Sequence, residues 1–389
     1  MTGQAGRLLR DRTGAQRVTN IELFFDLVYV FAITQLSSRL RHDPTIAGAA
    51  QTALLLAMVW VCWAYTTWVT NWMDPDRLVV RLVLVALMLI SLAMSAALPR
   101  AFGAYEGHGD LGWIVGDGYA LSQIGRSVFM VLALRGQRLR RNFERILVWC
   151  VVSGTLAVAG GLAHGQAREL LWLLAAGIDL LGGTAGFWVP GLGRSLTTDW
   201  DIAGGHFAER CQAFILIALG ESIVVIGASV ADLDVTAATV AAFIVAFIGT
   251  GALWWIYFDR GADASAEAIE RSKDPGRLGR SAYHYIHPFM VAGIIVVAAA
   301  DQNIASPGSE LHGAAAWMTL GGPALFLAGN AAFKYVVFRV IPWSRLAAVV
   351  VLALLGFAAS ALPALALAAC VMVVVLAVAV GDRLLLPQR

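Results

Sequence analysis

The chain has 389 residues, 59% of them apolar and only 14% charged, with a mean hydropathy of +0.72. That balance excludes an ordinary soluble globular protein and leaves a membrane protein. A net charge of +2, with no Lys/Arg run interleaved with aromatics, excludes a nucleic-acid partner, and the longest charged stretch, 259–280, is too short for a soluble catalytic domain.

About twenty apolar residues cross the hydrocarbon core as a helix, whose backbone groups are satisfied internally. By that length rule the sequence predicts an all-α, polytopic transmembrane helical bundle of about twelve spans. In chain order they are 21–38, 46–70, 78–98, 112–134, 143–162, 168–190, 207–231, 236–258, 283–304, 313–338, 344–361 and 364–382. The domain organisation is a basic tail (1–20), one helical domain (21–382) and a short C-terminal tail (383–389). With the N-terminus in the cytoplasm, 21 of the 28 Lys and Arg residues fall in inner segments or the span ends adjoining them, 4 in outer loops or the span ends adjoining them, and 3 (Arg126, Arg210 and Lys334) elsewhere inside spans. A miscounted helix would invert every later loop, so this asymmetry predicts an even number of spans with both termini in the cytoplasm. The basic start is followed by Glu22 and Asp26 and not by an uninterrupted apolar run, so no cleaved signal peptide is expected.

Twelve spans divide as six plus six, into halves 21–205 and 206–382. Each half opens with carboxylates at a cytoplasmic helix start, Glu22 and Asp26 in one and Glu209 in the other. The second and eighth spans also end alike, with Trp63, Tyr65 and Asp74 matched by Trp255, Tyr257 and Asp259. Repeats of this kind place a shared cavity at their interface.

Charges in hydrocarbon cost about 2.5–3.5 kcal/mol each on insertion scales, so buried acids and bases face the bundle interior and seek partners. Glu22 and Asp26 lie four apart and share one face of the first helix. A helix N-terminus accounts for Glu22 but less well for Asp26, which lies beyond the first turn. On the seventh helix His206, Glu209 and Arg210 precede Gly220 and Glu221. Arg210 and Glu221 share a face but stand about 16 Å apart along the axis, so Arg210 requires a carboxylate from Asp26, Glu22 or Glu209. Glu221 is deep in the span, beside a glycine that lets a helix or ligand approach closely. His284 and His287 are i,i+3 neighbours at the start of the ninth helix, ahead of Pro288. Asp117 and Arg126 face opposite ways on the fourth helix, Asp179 stands alone in the sixth, and Lys334 can snorkel to the cytoplasmic interface.

Neither HxxH nor the reversed HxxE of His206 and Glu209 is a metal-site pattern, so no metal and no cofactor is expected. The four cysteines lack CxxC spacing and are expected to pack. Most Trp residues near helix ends, among them Trp72, Trp113, Trp188 and Trp343, are expected as interfacial anchors, while Trp60 and Trp63 are expected in the core. No phosphate loop and no GxSxG elbow is present, which removes ATP-driven pumping and ordinary hydrolase chemistry.

The segments Glu22-Leu23-Phe24-Phe25-Asp26 through Thr34, and Glu209-Arg210 with Leu219-Gly220-Glu221-Ser222, resemble the bacterial low temperature requirement protein A (LtrA) family. The resemblance covers most of the chain and implies a polytopic protein of the bacterial cytoplasmic membrane. It implies no agreed biochemical activity.

The residues themselves predict secondary transport of a small solute, coupled to protons or a cation. In that reading Asp26 and Glu221 are protonatable carriers, Arg210 is the fixed counter-charge, and His206, His284 and His287 form a relay, with Glu22 and Glu209 beside them. The competing reading is an intramembrane enzyme that uses the same acids on a lipid or isoprenoid-like substrate. A non-catalytic membrane sensor or assembly factor is the third. The lipid bilayer is the one partner common to all three.

Overall fold

A computed structural model describes residues 8–11, 16–103, 107–200, 202–231, 234–259, 261–304 and 313–385. Its helices are α1 (Asn20–His42), α2 (Ile46–Trp72), α3 (Leu78–Ala97), α4 (Gly112–Ala133), α5 (Arg140–Leu162), α6 (Gly165–Gly182) and α7 (Gly204–Ala231). They continue with α8 (Ala237–Phe258), α9 (Ala262–Glu270), α10 (Pro275–Leu278), α11 (His287–Ile304), α12 (Ala314–Phe338), α13 (Trp343–Ala358) and α14 (Ala364–Leu385). Among the described residues the fold is all-α, and nine helical stretches are long and apolar enough to cross a membrane. They contain α1, α2, α3, α5, α7, α8, α11, α13 and α14. Outside that set, α4, α6 and α12 carry polar and charged residues that the sequence lodges in apolar surroundings: Arg126, Asp179 and Asn330 among them.

Two helix limits differ from expectation, each for a local reason. The sixth span was expected to reach residue 190, but α6 stops at Gly182. The following Gly-rich stretch turns instead, with Gly186 and Phe187 at positive φ and a tight Val189–Gly193 pairing. The ninth span begins as a π-helical segment, Gly279–Ile286, and becomes α-helical only at His287. Pro288 has no N–H for the carbonyl four residues back and its ring crowds that carbonyl, so the preceding turn is wide.

The described residues fall into two compact units. The first is drawn from Met1–Arg39, Ala50–Arg210 and Glu270–Arg280. In it α4 and α5 cross closely because Gly116 and Gly161 carry no side chain: a Cβ on Gly116 would lie 2.3 Å from the Ala157 carbonyl oxygen. The last carbonyls of α5, which no intrahelical N–H can reach, are taken by the buried guanidinium of Arg168. Its Nε donates to the Gly160 and Ala163 oxygens at 3.1 and 2.9 Å, and its Nη2 to the Gly161 oxygen at 3.1 Å. Trp72, expected at the interface, is instead 5% exposed in an aromatic nest with Trp68, Phe143 and Trp200. Trp113, Trp188 and Trp343 are exposed. The N-terminal segment docks on the end of α2, where Arg10 N donates to the Trp72 oxygen and Asp74 N to the Leu8 oxygen.

Arg168 also pairs with Asp110, at 2.8 Å, in the turn before α4. Burial alone would raise the Asp110 pKa, but the hydrogen bonds from Arg168 and Gly112 and the nearby positive charge hold it below the ordinary 3.8. A depressed folded-state pKa gives stability that is present above the unfolded value and is lost as pH falls through the folded one. Asp110→Asn is therefore expected to lower the unfolding midpoint at neutral pH, with the gap to wild type closing as pH drops below 3.8. A gap unchanged in strong acid would contradict the ion pair.

The second unit is drawn from Leu40–Ala49, Cys211–Ile269 and Ser281–Arg389. Here α11 and α12 cross at Gly293, Gly322 and Gly329, where a Cβ on Gly293 would sit 2.6 Å from the Phe326 backbone nitrogen. Backbone cannot yield as a side-chain tip can, so Gly293→Ala is expected to cost about 1–3 kcal/mol. Gly321→Ala on the same α12 meets nothing within 4 Å and serves as the neutral control in detergent unfolding. Arg345, 1% exposed, donates to Asn330 Oδ1 at 2.7 Å and pairs with Asp382, which also draws Lys334 Nζ to 3.6 Å. Lys334 is thus held by an ion pair.

Candidate functional site

In the first unit the α1 N-terminus places two acids on one face. Thr19-Asn20-Ile21-Glu22 forms a cap in which Glu22 Oε2 accepts from the Thr19 N–H and hydroxyl, each at 2.9 Å. One turn on, Asp26 projects beside it. Arg210, from the first turns of α7, spans the pair: Nη2 donates to Asp26 Oδ1 at 2.5 Å, and Nη1 lies 3.3 Å from Glu22 Oε1. Both acids and Arg210 have no exposed surface. Burial of this kind is tolerable only with close pairing.

Three further side chains complete the cluster. Arg10 Nη2 donates to Glu22 Oε2 at 2.7 Å, while its Nε donates to the Thr70 oxygen at the end of α2, also at 2.7 Å. Trp63 Nε1 donates to Asp26 Oδ1 at 2.7 Å. His206 Nε2 lies 2.9 Å from Glu22 Oε1, and its Nδ1 lies 3.2 Å from Asn71 Nδ2. The Asn71 amide is fixed by the Ala203 backbone, which gives its N–H to Oδ1 at 2.8 Å and accepts from Nδ2 at 3.0 Å. Asn71 therefore donates to Nδ1, and Nε2 faces both Glu22 Oε1 and, at 3.2 Å, Arg10 Nη2; a neutral His206 with its proton on Nε2 donates to Glu22 and leaves Arg10 to the Glu22 carboxylate. With His206 neutral, two carboxylates balance two guanidiniums. Glu209 accepts from the Val18 N–H at 3.2 Å, on the side of the N-terminal segment.

Asp26 holds both of its donors, Arg210 and Trp63, on one oxygen. Its Oδ2 is buried with no hydrogen-bond partner among the described residues. A proton can therefore load on Oδ2 without breaking either bond to Oδ1, and doing so shifts the cluster from neutral to one positive charge.

The remaining expected site residues belong to the second unit. Glu221 is 3% exposed in α7. A Cβ at the adjoining Gly220 would meet nothing within 4 Å, so that glycine is not a point of close approach. His287 is fully buried, with Nε2 3.2 Å from the Tyr257 hydroxyl and its ring stacked on Tyr283. His284, in the π-helical segment, packs edge-on to Tyr285. Among the described residues no group of three His, Cys, Asp or Glu side chains is placed to hold a metal ion.

Arg10, Asn71 and Trp63 were not foreseen as site residues. Arg10 reads as one more charge of a basic tail, and nothing local marks it as buried. A second polar cluster was also missed. Asp179, which seemed isolated, accepts from Tyr119 Oη at 2.5 Å, Gln123 Nε2 at 2.7 Å and Ser153 Oγ at 2.9 Å. Arg126 donates to Gln123 Oε1 and, at 3.2 Å, to Thr66 Oγ1, so the glutamine amide links the arginine to the aspartate. Tyr119, Gln123 and Arg126 recur at three- and four-residue spacing on α4, the periodic signal that could have found them.

Many apolar helices with exposed Val, Leu and Phe surfaces, enclosing neutralised charge clusters, define a multi-pass membrane protein. The family profile described as bacterial low temperature requirement A protein (LtrA) matches residues 17–380, and the chain belongs to that family. It is 36% identical over 341 residues to the uncharacterized protein RA0937 of Rhizobium meliloti (strain 1021), covering 87% of this chain and 82% of that one. No solved structure matches.

Proposed function

We propose that the protein is a secondary transporter of the bacterial cytoplasmic membrane, with twelve spans and both termini cytoplasmic, moving a small solute coupled to protons or a cation. The buried Oδ2 of Asp26, which has no hydrogen-bond partner among the described residues, carries this reading. A buried acid that shares one oxygen between Arg210 and Trp63 and keeps the other vacant is built to change protonation in place. Protonation weakens the hold on Arg210, and Arg210 joins α1 to α7, so the charge state of Asp26 biases how those helices pack. In the first unit His206 relays protons, with Glu22 and Glu209 setting the local field; in the second, Glu221 serves as a second protonatable carrier, with His284 and His287 as its own relay groups. The Lys/Arg asymmetry of the loops supports the orientation.

The test pairs metabolite profiles of a deletion strain with those of strains carrying Asp26→Asn or Glu221→Gln. A small solute whose pool changes on deletion should stay changed in both variants and be restored by the wild-type chain. In proteoliposomes its uptake should follow an imposed pH gradient with wild type and lose that dependence with Asp26→Asn. Equal gradient-driven uptake by the two would refute the assignment.

A further inference from the structure

Within the second unit, α8, α11, α12 and α14 line a pocket of about 40 Å³, walled by apolar side chains such as Val297, Leu253 and Val371. One acid lines it. Asp301 is 8% exposed, its Oδ2 has no hydrogen-bond partner, and it forms no ion pair, among the described residues. Among the described residues no Lys, Arg or His lines the pocket to balance a carboxylate. Two threonines line the same pocket. Thr250 is 2% exposed and its hydroxyl is likewise without a partner. Thr319 Oγ1 donates to the Ala315 oxygen at 3.0 Å, which leaves its lone pairs available. Pro323, also in the wall, has no N–H for the carbonyl four residues earlier, and that carbonyl belongs to Thr319. The wall therefore offers a carboxylate and two hydroxyls, and Pro323 deprives the neighbouring Thr319 carbonyl of its usual helical donor.

We propose that Asp301, Thr250 and Thr319, with the Thr319 carbonyl that Pro323 leaves without its helical donor, form a binding site for a monovalent cation of sodium's size. The donor set is all oxygen, which selects a hard cation over a transition metal. It supplies one negative charge, which balances one positive charge and undercharges a calcium site. The volume holds two or three waters or one small ion. Backbone carbonyls without a helical donor are a general means of holding such ions inside a bilayer. The site shares no residue with the Asp26 cluster and stands without the transport reading, because binding is measurable without flux.

The experiment is equilibrium binding of radioactive sodium to the purified full-length chain in lipid nanodiscs, at constant ionic strength with N-methylglucamine as the replacement cation. Saturable binding of one ion per chain is expected, weakened at least tenfold by Asp301→Asn and by Thr250→Val. The threonine variant keeps the side-chain shape while removing the oxygen, so it remains informative if the aspartate variant does not fold. Pro323→Ala returns an N–H to the Thr319 carbonyl and should also weaken binding. Sodium should raise the melting temperature of wild type in a saturable way and leave Thr250→Val unmoved. Absence of saturable binding, binding unaltered in folded Asp301→Asn and Thr250→Val, or equal displacement by potassium would each overturn the proposal. Asp26→Asn should bind sodium as wild type does, which separates failure here from failure of the transport assignment.

Discussion

Arg210→Met is expected to lower stability by about 3–5 kcal/mol, because it leaves the buried carboxylates of Glu22 and Asp26 facing each other without the guanidinium that spans them. Breaking one side of a buried pair costs far more than the pair contributes net, since the surviving charge can be neither hydrated nor neutralised at its usual pKa. The double variant Arg210→Met with Asp26→Asn should recover much of the loss, because the uncompensated charge is then gone. Unfolding midpoints of the four proteins in one detergent give the coupling directly. A single-variant loss under about 1 kcal/mol, the range of an exposed ion pair, would show that the cluster is hydrated and not buried.

Asp179→Leu is the second large effect. Tyr119, Gln123 and Ser153 all donate to this carboxylate, and none has water to turn to in an apolar bundle. Each buried donor left unsatisfied costs about 1–3 kcal/mol, so a loss of about 3 kcal/mol or more is expected. Asp179→Asn should cost less, because its amide oxygen still accepts from two of the three donors. The ordering Leu worse than Asn, read as yield and melting temperature in detergent, is the check. The reverse ordering would mean that charge, not hydrogen-bond capacity, is what the cluster needs.

The two clusters differ in a way that bears on function. Around Asp179 all three donors reach Oδ2, Ser153 Oγ also lies 2.9 Å from Oδ1, and Gln123 ties in Arg126, so both carboxylate oxygens have a partner, an arrangement that holds one state. Around Asp26 two donors crowd one oxygen and leave the other open. Satisfied networks rigidify and unsatisfied ones mark chemistry or movement. For that reason the proposed proton-carrying role falls to Asp26 and not to Asp179, although both are equally deep in apolar surroundings.

Helix positions were largely legible, since an apolar run of fixed length needs no knowledge of its neighbours. The exceptions, the early stop of α6 at Gly182 and the π-helical entry to α11, arise where glycine or proline chemistry competes with hydropathy. The shared face of Glu22 and Asp26 and the need of Arg210 for a distant acid also followed from helical spacing. Which acid it would find did not, nor did the Arg10, Asn71 and Trp63 contacts.

The amino-acid order alone determined the all-α character, the approximate helix limits, the family and the set of titratable residues lodged in apolar helices, because hydropathy and the 3.6-residue period are local quantities. Only the tertiary structure decided which of those residues meet. Trp63 reaches Asp26 across 37 residues of chain and Arg210 across 184, and no periodicity encodes the face a remote helix will present. The orphaned oxygen of Asp26 and the carbonyl that Pro323 leaves without its helical donor belong to the same class, because an unmade hydrogen bond is defined by everything around it and by nothing in the residue itself.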